Sequence, residues 1–169
     1  MIRSGDVRQE SSASWAWIAL TLVFAVALKQ IPWSGWWLIL RPDFLLIAVL
    51  FWALHRPSRV GMALGFAMGL VSDFQDGVVF GQHTAAYVMG VFAMRYFRLR
   101  FLQFDAAQQA AQVLPVLLMV QSAILIIGWL STRPPLGVNI LLPALSGALV
   151  WYLIVLATQM MHGKKAMRQ

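Results

Sequence analysis

The sequence predicts an all-α, polytopic membrane protein with six transmembrane helices and both ends in the cytoplasm. Three observations carry that prediction. The 169 residues are 60% hydrophobic and only 11% charged, with a mean hydropathy of +0.73, whereas soluble domains run at roughly 25% charged and 45–50% apolar. Apolar runs of helical length recur along the chain, parted by short loops rich in Pro, Gly and Arg. The thirteen basic residues are shared unevenly among those loops.

Residues 1–14 carry mixed charge and lack a small-residue cleavage pattern, so they read as a cytoplasmic tail ahead of a single membrane domain, residues 15–161. The first span is Trp15 to Ile31, with Trp15 and Trp17 at one interface and Trp33, Trp36 and Trp37 beyond the other. Arg41-Pro42-Asp43 interrupts the next apolar run, and Phe44 to Leu54 would cover about 17 Å of a roughly 30 Å hydrocarbon core. A Trp-rich interfacial piece is therefore expected, then a short second span beginning near Pro42, with Pro42 in the first turn. Such a span needs tilt, local thinning or cover from neighbouring helices.

Ser58 is the expected N-cap of the third span, which should break over Asp73 to Gly77. The fourth runs from about Gly81 to Phe97. Asp105 and Gln108 form a capping-box-like start to the fifth, which contains Pro115 and reaches about Leu130. A loop with Arg133, Pro134, Pro135, Gly137 and Asn139 precedes the sixth, residues 140–161, and a basic tail follows over 162–169.

In this arrangement Arg3, Arg8, Arg56, Arg59, Arg95, Arg98, Arg100, Lys164, Lys165 and Arg168 lie inside, and Lys29, Arg41 and Arg133 outside. That asymmetry sets the orientation. It also accounts for the formal charge of +7 without nucleic acid, because inner loops gather basic residues as topology signals and as contacts to anionic lipid. No cysteine is present, which removes disulfides and thiolate chemistry. His55 and His162 fall inside and His83 outside, so no two histidines share a metal. No HExxH, phosphate-binding loop or nucleophile elbow occurs. No catalytic, cofactor or metal site is assigned.

Two features stand out. Gly61, Gly65, Gly69, Asp73, Gly77 and Gly81 are spaced by four. On a helix the first three form a side-chain-free groove for another backbone, either one of this chain's own helices or a foreign one. The other feature is polar: Asp73, Asp76 and His83 could meet at the outer end of spans three and four, where an acid beside a histidine suits proton transfer or ion coupling. The plainer reading has Asp73 capping a helix start or bonding a neighbour's backbone, and Asp76-Gly77 as a turn. Arg41 and Asp43 form a second charged set, with Arg41 either pairing with Asp73 or Asp76 or reaching lipid phosphate, and Asp43 in a first helical turn. Arg95, Arg98 and Arg100 make a basic cluster that serves topology and lipid or docks a cytoplasmic protein.

Arg41-Pro42-Asp43-Phe44-Leu45, Arg59-Val60-Gly61, the run Gly65 to Asp73, then Gly77 and Gly81-Gln82-His83 together resemble the rod shape-determining protein MreD family. The resemblance covers nearly the whole length and is densest between residues 41 and 100. It implies a non-catalytic component of the bacterial inner membrane, working in the elongation machinery with the bitopic protein MreC, the actin-like MreB, the glycosyltransferase RodA and a class B penicillin-binding protein. The implied six-helix fold is similar to the S-components of energy-coupling-factor transporters. On that reading MreC is the partner, with Gly61, Gly65 and Gly69 as the candidate face. The alternative is an S-component-like subunit that binds or transports a small molecule in an outward pocket among Arg41, Asp73, Asp76 and His83.

Overall fold

A computed structural model describes residues 15–131 and 142–166, with side chains in the last helix as far as residue 160. The described residues are helical throughout, without strands: α1 (Trp15–Lys29), α2 (Trp36–Ile39), α3 (Phe44–His55), α4 (Met62–Asp76), α5 (Gln82–Tyr96), α6 (Arg98–Phe101), α7 (Ala106–Leu130) and α8 (Leu142–Ala166). The N-terminal tail, the loop with Arg133, Pro134, Pro135, Gly137 and Asn139, and the side chains of His162, Lys164, Lys165 and Arg168 lie outside the described residues. Three segments are long and apolar enough to cross a membrane: Trp36–His55, Ala106–Leu130 and Leu142–Met160. Helices α1, α4 and α5 have 15 residues each, and the last two carry polar groups such as Asp73, Asp76, Gln82 and His83 where they adjoin.

Helix α3 is the centre. Leu45, Leu46, Ile47, Val49, Leu50, Ala53 and Leu54 are all buried, which is more than one helical stripe can hold, so the helix is enclosed on several sides. Its neighbours are α1, α4, α5 and α8. This short apolar helix is thus covered by other helices. Trp52 Nε1 donates to Thr21 Oγ1 of α1 at 2.8 Å, and Phe51 meets Trp151 of α8 edge to face. On the other side of the molecule α5 packs on α7 and α7 on α8.

Helix starts follow local chemistry, with two departures from expectation. Asp43 is the N-cap of α3, its Oδ1 accepting from Leu46 N–H at 3.1 Å, so Pro42 precedes the cap and is not in the first turn. Ser58 caps nothing: residues 56–60 close a turn through Arg59 N–H and Val60 N–H to Arg56 C=O, and α4 begins after Gly61. The break expected over Asp73 to Gly77 falls at the end of that stretch. Helix α4 runs on to Asp76, and Gly77 ends it in the left-handed region at φ 59°, with Val78 N–H donating to Asp73 C=O as in a Schellman turn. As expected, Asp105 caps α7 through Gln108 N–H at 2.8 Å, and Pro143 lies in the first turn of α8.

Candidate functional site

The continuation of α4 to Asp76 decides the geometry of the site. Asp73 stays in register with Gly61, Gly65 and Gly69, and all four face α5. Residues Gly65, Gly69 and Asp73 are buried. A Cβ on Gly65 would lie 2.9 Å from Val91 Cγ2, and one on Gly69 would lie 2.8 Å from Thr84 N and 3.0 Å from His83 O. Only glycine allows that approach. At Gly61 the nearest group is Arg95 Nη1, 3.1 Å from the position of a Cβ. The groove of the first three glycines is therefore filled by this chain's own α5. Gly77 and Gly81 do something else: at φ 59° and 108° they turn the chain between the two helices, with open space around them.

Close packing at Gly69 brings the start of α5 onto Asp73. Gly81, the N-cap of α5, has no side chain to satisfy the first amides, and Asp73 does so from the neighbouring helix. Its Oδ1 accepts from His83 N–H at 2.6 Å. Its Oδ2 accepts from Gly81 N–H at 2.9 Å, Thr84 N–H at 3.3 Å and Thr84 Oγ1 at 2.7 Å. A carboxylate at a helix N-terminus also meets the positive end of the dipole.

The network extends outward from there. The His83 ring lies between two acids, Nδ1 3.0 Å from Asp73 Oδ1 and Nε2 3.3 Å from Asp76 Oδ2. Asp76 pairs with Lys29 Nζ at 2.7 Å, and the same ammonium donates to Ser72 Oγ. Tyr87, one turn beyond His83, donates its hydroxyl to Asp43 Oδ2 at 2.6 Å and lies 3.4 Å from Ser72 Oγ. One connected set of polar groups thus ties α1, α3, α4 and α5 together.

Of the polar residues singled out in the sequence, Asp73, Asp76 and His83 meet directly and Asp43 joins through Tyr87. Arg41 does not: among the described residues its side chain forms no hydrogen bond or ion pair, and Lys29 occupies the place beside Asp76. The last turn of α1 lies against α4, where Gln75 Nε2 also reaches Val26 O at 3.4 Å. Lys29, Ser72, Thr84 and Tyr87 were missed by motif reading. Tyr87 had a signal, since on a helix it stands four residues from His83; Lys29 had none, because its partner is 47 residues away. In the basic cluster, Arg95 Nη1 donates to Pro57 O at 2.9 Å and Arg98 Nε to Leu54 O at 2.8 Å, while Arg100 is exposed.

Fold and site together define an all-helical membrane protein with one connected polar network among α1, α3, α4 and α5. The chain belongs to the rod shape-determining protein MreD family, whose model matches residues 9–161. Rod shape-determining protein MreD of Haemophilus influenzae is 31% identical over 88 residues, 51% of this chain and 54% of that protein. The match spans about half the length of this curated relative. No solved structure matches the chain.

Proposed function

We propose that the chain is a non-catalytic, multi-pass scaffold of the bacterial inner membrane that binds MreC within the elongation complex and so helps control lateral peptidoglycan synthesis and rod shape. MreB, RodA and a class B penicillin-binding protein are reached indirectly. The proposed arrangement has six spans, α1, α2–α3, α4, α5, α7 and α8, in one membrane domain over residues 15–161, with both tails inside and the S-component-like fold that the resemblance implies.

One observation carries the scaffold reading: the buried Asp73, the partly exposed Asp76 and His83 are bonded to groups of this protein. A ligand subunit needs polar groups converging on a cavity. Instead Asp73 takes its donors from α5 and Asp76 from Lys29 and His83. An open depression of about 450 Å³ is lined by Ile31, Pro32, Trp33, Ser34 and Trp37, and by none of those acids. The network supports a rigid body that other membrane helices can dock against. Since α5 fills the groove at Gly65 and Gly69, the partner helix is proposed to meet another face, with the stripe contributing by holding α4 on α5.

The test is recovery of the tagged protein from its native membrane in mild detergent, with mass spectrometry of proteins and small molecules. Stoichiometric MreC without a metabolite is the expected result. A retained ligand or an ATPase module would replace the scaffold with the transport reading.

A further inference from the structure

We propose that the end of α5 and the short helix α6 form a binding surface for the phosphate headgroups of anionic phospholipids, with the neighbouring apolar side chains set at the acyl boundary. Three observations carry it. Arg95 reaches over the connection between α3 and α4 and Arg98 over the last turn of α3, fixed there by bonds to the carbonyls of Pro57 and Leu54. Gly61 leaves the space in which the Arg95 guanidinium lies. Those acceptors are neutral, and among the described residues Arg95, Arg98 and Arg100 have no acidic partner. Each guanidinium carries five N–H donors, so fixing two of them with one bond apiece leaves charge and donors for an anion.

The second observation is the company these arginines keep. Tyr96 and Leu99 are each 74% exposed and Leu102 41%, interleaved with the arginines within eight residues, 95–102. An acidic protein segment would match the charges alone. A lipid matches both: phosphate for guanidinium, acyl chain for the aromatic and aliphatic groups. The third is position, since the patch joins α5 to α7, the latter long and apolar enough to cross a membrane, which puts it at headgroup level.

The inference rests on the inside placement of residues 95–102 proposed above, and the two fail separately. With no cysteine in the chain, Gln103→Cys reports topology: labelling by an impermeant maleimide only after permeabilisation supports it, and labelling of intact spheroplasts overturns the placement. Lipid binding is read by native mass spectrometry of the purified protein from micelles with equal phosphatidylglycerol and phosphatidylcholine. Wild type should retain phosphatidylglycerol in excess. Arg100→Gln, which has no internal partner to lose, should lower that excess by about fivefold, and Arg95→Gln/Arg98→Gln/Arg100→Gln further. Leu99→Gln should lower total retained lipid. Equal retention of both lipids by wild type, or less than twofold change in Arg100→Gln with its melting temperature unaltered, overturns the proposal.

Discussion

The α4–α5 pair and the α7–α8 pair are both extensive helix contacts, held in different ways. Between α4 and α5 the backbones nearly touch at Gly69, and Asp73 caps the opposite helix. Between α7 and α8 it is a side chain that closes on the small residue: the Leu117 Cδ1 of α7 lies 3.0 Å from where a Cβ on Gly147 of α8 would stand. The first pair depends on position. The second depends on volume and tolerates repacking.

The largest expected effect of that difference is at Gly69. A Cβ there would run into the Thr84 backbone, which cannot swing aside, so the helices must part and Asp73 loses its amides. Gly69→Ala should lower stability by about 3 kcal/mol, and Gly69→Leu should abolish a monodisperse species on size exclusion in detergent. A Gly69→Leu protein that melts like wild type would mean that α5 does not lie where it is described. Gly65→Leu should also unfold rather than selectively release a partner.

Asp73→Ala comes next. It leaves the buried N–H groups of His83 and Thr84 without an acceptor, at about 1 kcal/mol each, whereas Asp73→Asn keeps one carbonyl oxygen and should lose only part of that. Thermal melts that rank Ala and Asn alike would show that charge, and not acceptor geometry, governs the site.

A smaller effect is expected where the network reaches the surface. The Lys29 side chain is 8% exposed and that of Asp76 32%, so water screens the pair from one side. A double-mutant cycle with Lys29→Met and Asp76→Asn should return a coupling of about 1 kcal/mol. Purely additive melts would mean that Lys29 and Asp76 do not pair.

These contrasts also show what the sequence could and could not convey. The helical class, the caps at Asp105 and Gly77, and the meeting of Asp73 with His83 were legible, because they depend on composition and on residues at most ten apart. The spacing of four was legible as a groove, and the identity of its occupant was not, since either an own or a foreign helix fits a small-residue stripe. Lys29 was read as an interfacial cation because nothing local distinguishes a lysine that snorkels from one with an acid across the bundle.

The smallest effect is expected at Gly147, the counterpart of Gly69 in the second pair. A Cβ there would approach Leu117 Cδ1 at 3.0 Å and Ile47 Cδ1 at 3.6 Å, both ends of flexible side chains. Rotation of the Leu117 terminus relieves the contact, while alanine within a helix is favoured over glycine by about 1 kcal/mol. Gly147→Ala should therefore stay within roughly 0.5 kcal/mol of wild type in the same detergent melt, where Gly69→Ala loses several times that. The two substitutions are chemically identical and differ only in what the new methyl meets. If they proved equally costly, the distinction between a backbone contact and a side-chain contact would fall, and both pairs would have to be treated as one packing type.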